Sequence, residues 1–186
     1  MSVSITDRAE LNQFRAHGTF PEGHSALVNE CLRSLGLMTG ARILVLGCGM
    51  GLLVKQLHWL QVAECVMGLD RDASAIAMGR KVYPEVELHR STVEMSDLLP
   101  LIDFLKLAAI NVVVAPRTLP IIAQFNDIAL NRLSAAIMSA GVRVMIIQGT
   151  EAGDRLGKIN AQVRAVGDFW AVHWRRGSIA VLRARA

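Results

Sequence analysis

Residues Ala41 to Val54 read ARILVLGCGMGLLV. An apolar run that ends in Gly47, Cys48, Gly49, Met50 and Gly51 and then resumes is the pattern of a buried strand turning at once into a helix. Glycine suits such a turn because the reversal requires positive φ, and because a ligand can approach the backbone only where no Cβ intervenes. The stretch reads as the first βα unit of a nucleotide-binding α/β domain. The remaining chain reads as the sheet that holds this turn in place.

Upstream, residues 1 to 23 form a polar arm broken by Gly18, Pro21 and Gly23, and His24 to Met38 carries apolar residues at helical spacing. Downstream, Leu52 to Leu60 continues as a helix, and Ala63 to Leu69 is a second buried strand closing on Asp70, 19 residues beyond Gly51. A carboxylate at the end of a second parallel strand lies beside the glycine turn, where it can accept hydrogen bonds from both hydroxyls of a ribose. Asp72 is placed to cap a helix running to Val82, which Tyr83-Pro84 stops. The same reading predicts a short third strand from Val86 to Ser91, a helix from Val93 to Leu107 kinked at Pro100, and a fourth strand from Ala109 to Ala115. It continues with a helix from Ile121 to Ser139, a fifth strand from Gly141 to Gly149 and a helix from Gly153 to Val166. Phe169 to Trp174 and Ile179 to Arg185 are two strands joined directly by Arg175 to Ser178, and so short a link forces an antiparallel hairpin. The fold class is therefore α/β, three-layered and doubly wound, with a mostly parallel seven-stranded sheet and a C-terminal antiparallel hairpin. Residues 1–40 are the arm and lid helix of the same domain as 41–186.

The chain has 186 residues, 52% hydrophobic and 19% charged, which suits one domain with a substantial core and excludes disorder. No apolar run reaches the roughly 18 residues of a membrane helix, and the first residues lack the apolar core of an export signal, so a cytoplasmic protein is expected. Cys31, Cys48 and Cys65 are an odd number without CxxC spacing, and neither a disulfide nor a metal site is expected. The net charge of +4 permits an anionic partner, and Arg175, Arg176, Arg183 and Arg185 are a candidate patch for nucleic acid.

Five βα units closed by a hairpin, with GxGxG after the first strand and an acid after the second, resemble the Rossmann-like (class I) S-adenosylmethionine-dependent methyltransferases from roughly Ala41 to the C-terminus. The resemblance implies S-adenosylmethionine as cofactor, held by Gly47, Cys48, Gly49, Met50, Gly51, Leu69, Asp70, Arg71, Thr92, Val93 and Ala115. A nicotinamide-binding fingerprint would need glycine where Leu52 stands. Val45 occupies the place of the family's usual acid two residues before the first glycine, and Thr92 that of its adenine acid, with Glu94 and Asp97 the nearby carboxylates. The family's acid at the end of strand four becomes Asn111, and Ala115 to Thr118 lack the clamp used on base amino groups.

Methyl transfer is an in-line displacement at a sulfonium, which asks the protein mainly for alignment in a dry site. Candidates on the acceptor side are Arg117, as an anion contact, and His24, as a base or contact on the lid. Phe20 either folds over the ligand or anchors the arm. Trp170 and Trp174, at spacing four on one strand face, read as core, His89 and His173 as satisfied strand histidines, and Cys48 as a small buried filler. Three functions are compatible with these residues: methyl transfer to a small molecule or nucleic acid, transfer of another group from the same cofactor, and a non-catalytic binding or scaffolding role, to which Val45 and Thr92 point. A partner subunit is compatible with each, and the oligomeric state is open.

Overall fold

The computed structural model describes residues 24–35, 38–116, 118, 126–148, 167, 170–176 and 179–185, with backbone alone for 24–26 and 171–176. Helix α1 (His24–Leu35) leads into strand β1 (Arg42–Leu46), helix α2 (Leu52–Trp59), strand β2 (Cys65–Asp70), helix α3 (Ala73–Val82) and strand β3 (Glu87–Arg90). Helix α4 (Leu99–Leu107), strand β4 (Val112–Pro116), helix α5 (Asp127–Ser139), strand β5 (Val144–Gln148) and the pair β6 (Trp170–Arg176) and β7 (Ile179–Ala184) follow. The strands form one seven-stranded sheet in the order β3-β2-β1-β4-β5-β7-β6. The pairs among β1 to β5 are parallel, whereas β7 pairs antiparallel with both β5 and β6. This is the doubly wound sheet with a terminal hairpin that the sequence predicts.

Apolar side chains cover both faces. Leu27, Val28, Cys31 and Leu35 of α1 pack in one core with α2, α3 and the facing residues Ile43, Val45, Val112, Val114, Val144, Ile146, Ile179 and Val181. Leu101 and Leu105 of α4 and Leu130, Leu133 and Ile137 of α5 cover the opposite face with Leu44, Leu46, Met67, Val113, Met145 and Trp170. Sheltered on both faces, β1, β4 and β5 are near-continuous apolar runs rather than alternating ones.

Several local expectations shift for identifiable reasons. The segment from Val93 to Leu98 is not helical: Glu94 and Asp97 form an antiparallel bridge, and α4 starts at Leu99 with Pro100 in its first turn. Proline lacks an N–H but its fixed φ suits a helix start, so Pro100 begins the helix instead of kinking it. Helix α5 begins at Asp127 because Asn126 caps it, its side chain accepting from the N–H groups of Ile128 and Ala129. Asp72 caps α3 as expected, and the Ser74 hydroxyl together with the N–H groups of Ala75 and Ser74 holds its carboxyl below the usual range. Asn111 lies before β4 rather than at its end. Its Oδ1 accepts the Arg42 N–H (2.9 Å) and its Nδ2 donates to the Gly40 carbonyl (2.8 Å), clasping the starts of β1 and β4.

In the hairpin, a register shift between Val172 and Trp174 moves position 174 opposite Val181, while 170 and 172 pair with Ala184 and Leu182. The shift breaks the two-residue alternation on which a face shared by Trp170 and Trp174 rests, and the Trp174 side chain lies outside what the structure describes. Trp170 itself is core, 1% exposed, with Nε1 donating to the Ser134 carbonyl (3.4 Å). The four arginines do not form one patch. Arg176 pairs with Ile179 and Arg183 with Val144, so the two pairs lie at opposite ends of the hairpin, about 14 Å apart along the strand. The arm at residues 1–23 and the expected helix at 153–166 lie outside the described residues.

The turn after β1 is seated by two glycines elsewhere in the chain. A Cβ on Gly68 would stand 2.6 Å from the Cys48 sulfur, and one on Gly79 would stand 2.2 Å from the Met50 carbonyl oxygen. Glycine to alanine inside a helix ordinarily stabilises by roughly 1 kcal/mol. For Gly79→Ala the sign reverses, because the methyl group meets backbone rather than a flexible side chain, and urea denaturation should record a loss of about 1–3 kcal/mol. A stabilised variant would mean that α3 does not pack against the turn.

Candidate functional site

At the carboxyl ends of β1 and β2 the chain builds a compact turn. Gly47, Gly49 and Gly51 take φ of 75°, 56° and 88°, the left-handed region that other residues avoid. The Gly47 and Cys48 N–H groups both donate to the Leu69 carbonyl (2.8 and 3.2 Å), and the Gly51 N–H donates to the Cys48 carbonyl (3.0 Å). The Gly49 N–H donates to Asp70 Oδ2 (2.7 Å), and the Asp72 N–H donates to Asp70 Oδ1 (2.9 Å). The turn is thus wired to the end of β2, and the Asp70 carboxylate is fixed by one backbone donor on each oxygen. A carboxylate oxygen has two lone pairs, so each keeps one for a further donor.

The sequence-predicted cofactor residues fall into three places. Gly47 to Gly51, Leu69 and Asp70 come together at this turn, and Arg71 follows exposed beside it. Thr92 and Val93 lie one strand further out and line a pocket of about 240 Å³ with Leu69. Ala115 is 1% exposed in the core under α4 and α5. His24 is the first residue of α1, whereas Arg117 and Phe20 lie outside the described residues.

Sequence reading missed most of the pocket wall. His89, Arg90, Ser91, Asp97, Pro100, Leu101 and Phe104 complete it. His89 lies edge-on to Phe104, ring centroids 5.1 Å apart, with its Nε2 2.7 Å from Glu87 Oε1, so it is both satisfied and part of the wall. Of the two nearby carboxylates, Asp97 reaches the pocket because the bridge to Glu94 folds residues 94–97 back toward Thr92, and its Oδ1 accepts the Leu99 N–H (3.1 Å). The bridge is a tertiary contact without a sequence signal. The proline at the start of α4 was the one visible clue.

Two further residues lie on the β4–β5 side of the turn. A Cβ on Gly47 would meet the Thr118 hydroxyl at 2.1 Å, so Thr118 presses onto the first glycine, with that hydroxyl donating to the Pro116 carbonyl (2.9 Å). Gln148 ends β5, 1% exposed, with neither its side-chain oxygen nor its nitrogen hydrogen-bonded. Val45 is fully buried in the α1–α2 core. Among the described residues no group of His, Cys, Asp and Glu could hold a metal ion, and no helix is long and apolar enough to cross a membrane.

No protein-family model and no curated protein matches the sequence. Solved structures do match. A TehB-like SAM-dependent methyltransferase from Corynebacterium glutamicum is 16% identical with a TM-score of 0.61, 96% of each chain being covered. Magnesium protoporphyrin IX methyltransferase from Synechocystis, with bound S-adenosylmethionine, is 12% identical with a TM-score of 0.58, covering 100% of this chain and 86% of its own. The ribosomal protein L11 methylase of Lactobacillus delbrueckii is 15% identical with a TM-score of 0.58, over 89% and 81%. The fold is the Rossmann-like fold of the S-adenosylmethionine-dependent methyltransferases.

Burial pushes the Cys31 and Cys48 thiols up to about 12, Glu30 adding to the effect at Cys31 and Asp70 at Cys48. Cys31 and Cys48 are buried and held protonated whereas Cys65 is half-buried, so at pH 8 a disulfide reagent should count one reactive thiol in the native state and all three after denaturation. The unfolded chain releases both protons near the ordinary value of 9.0, while the folded chain keeps them to about 12. Stability should therefore be lost progressively as pH rises through that window.

Proposed function

We propose that this chain binds S-adenosylmethionine and transfers its methyl group to a small molecule or a nucleic acid. The observation that carries the reading is the Asp70 carboxylate, anchored by Gly49 and Asp72 and keeping one free lone pair on each oxygen. Two adjacent ribose hydroxyls are the natural donors for such a pair. The pocket between Leu69, Thr92, Val93 and Asp97 lies one strand further out and is a place for the adenine, with Asp97 as an acceptor for its amino group. The residues thus fit the cofactor along the line from β3 to β1.

The glycine turn before the helix leaves few backbone donors of its own for a pyrophosphate. A pyrophosphate site needs outward-pointing N–H groups, yet those of Gly47, Cys48, Gly49 and Gly51 are all taken by acceptors within the protein. What the turn presents instead is a Cβ-free surface, suited to a thioether chain lying close against backbone. When bound, S-adenosylmethionine would supply an electrophilic methyl group on a sulfonium. The chain's own part is alignment and exclusion of water: the glycine turn sets the approach, Asp70 fixes the ribose, and the acceptor enters beyond β4. His24, at the start of the lid helix, and Arg117, after β4, are the proposed contacts there, and His24 serves as a base only if the acceptor arrives protonated. A soluble cytoplasmic enzyme with this cofactor is the setting proposed.

One observation favours a second reading. Val45 is wholly apolar and buried, so β1 offers no carboxylate toward the amino-acid end of the cofactor, as suits a non-catalytic binding or scaffolding protein. Calorimetry with S-adenosylmethionine and S-adenosylhomocysteine separates the two. Binding of both is expected, and Asp70→Ala should weaken it by roughly 1–3 kcal/mol, the cost of losing charge-assisted hydrogen bonds. Absence of binding at millimolar ligand would leave the scaffold reading, and an unchanged affinity in the variant would remove Asp70 from the site.

A further inference from the structure

The carboxyl-end rim continues past the glycine turn into residues that the cofactor does not use. Pro116 of β4 registers with Gln148 of β5, Gln148 with Ile179 of β7, and Ile179 with Arg176 of β6, so these four form one row across the sheet. Val45 registers with Val114 and Leu46 with Leu69, so Gly47 and Asp70 extend the same row on the other side. Adjacent strands lie about 4.8 Å apart, which puts Gln148 three spacings, about 14 Å, from Asp70. With the adenine pocket on the β3 side of Asp70, a 5′ substituent must run the other way, and Gln148 lies past its end.

Gln148 is also chemically out of place. It closes a strand that is otherwise VMII, is 1% exposed, and leaves both amide atoms without a partner. Its alternation along β5 puts it on the face covered by α1, continuing the apolar positions of Val144 and Ile146. A leucine or methionine would fill such a position without the desolvation of an amide, so the amide serves something other than the fold.

We propose that Gln148 recognises the methyl acceptor, and that the acceptor is a nucleobase carried on a nucleotide; this rests on the methyltransferase reading above. A primary amide presents a donor and an acceptor in one plane, and its complement is an edge offering an acceptor beside a donor, as bases do. The row supplies the second half of the match. Position 176 lies in the same row as Gln148, two strand spacings away, with Arg175 the residue before it on β6; the separation is comparable to that between a base and its 5′-phosphate, and arginine is suited to phosphate. Gln148 is thus a specificity-determining residue and the end of β6 an anion contact.

The test follows the side-chain NH₂ resonances of ¹⁵N-labelled protein bound to S-adenosylhomocysteine, that of Gln148 being the one missing from Gln148→Met. Adenosine, guanosine, cytidine and uridine are titrated in turn, then their 5′-monophosphates. One base should shift the Gln148 resonance, its monophosphate should saturate at least tenfold lower, and Arg175→Gln with Arg176→Gln should remove that difference. Gln148→Met should keep S-adenosylhomocysteine affinity and raise the melting temperature. The assignment is overturned if no nucleoside or nucleotide moves the resonance, or if Gln148→Met melts lower, which would make the amide part of the fold. A response to nucleosides with no gain from phosphate would remove Arg175 and Arg176 and leave a free nucleoside as the acceptor. Failure of S-adenosylhomocysteine to bind the unaltered protein would instead strike the methyltransferase reading, and the acceptor assignment with it.

Discussion

The seating of one turn against the second strand is the constraint on which the remaining structure depends. Gly49 and Asp70 join through a single N–H to carboxylate bond, and the Leu69 carbonyl receives two more donors from Gly47 and Cys48. For those contacts to form, β2 and α3 must come closer to the turn than side chains normally allow, which Gly68 and Gly79 permit. Leu88 of β3 then wedges its branched end against both Gly51 and Gly79, so the third strand is fixed by the same packing. Three successive βα units are referenced to one loop.

That arrangement makes the carboxyl-end rim a place of unequal halves. Toward β3 the groups are polar but satisfied: Asp70, His89 and Asp97 each have a partner and a defined orientation. Toward β5 the pattern changes to apolar strand ends and one unsatisfied amide. Pre-arranged polar groups suit a ligand that is always the same, because the cost of holding them is met in the fold. An amide left open suits a ligand whose binding provides the missing hydrogen bonds.

How much of this was legible in the sequence depends on the range of the determining contact. The turn, Asp70 and the Asp72 cap follow from residues within a few positions or one βα unit, and their spacing announced them. The hairpin was legible because four residues cannot span a crossover. The Val172–Trp174 bulge was not, since pairing two residues against one is settled by the partner strand and leaves the apolar pattern intact. Asn111 was misplaced because a run of valines gives no sign of which end of the strand an asparagine ties. The 94–97 bridge that delivers Asp97 falls in the same class, as does Thr118 on Gly47, whose partner lies 71 residues away in the chain.

The placement of α1 carries a consequence for how the molecule is made. Leu27, Val28, Cys31 and Leu35 share their core with Ile179 and Val181 of β7. Among the described helices α1 is synthesised before the sheet, yet it completes its packing only when β7 arrives, although β1, β2 and β3 can pair as soon as they are translated. Until then α1 exposes apolar surface to whatever else is present. The period between synthesis of the turn and synthesis of the hairpin is when this chain most needs protection from aggregation, and shortening it at the hairpin would prolong that exposure indefinitely.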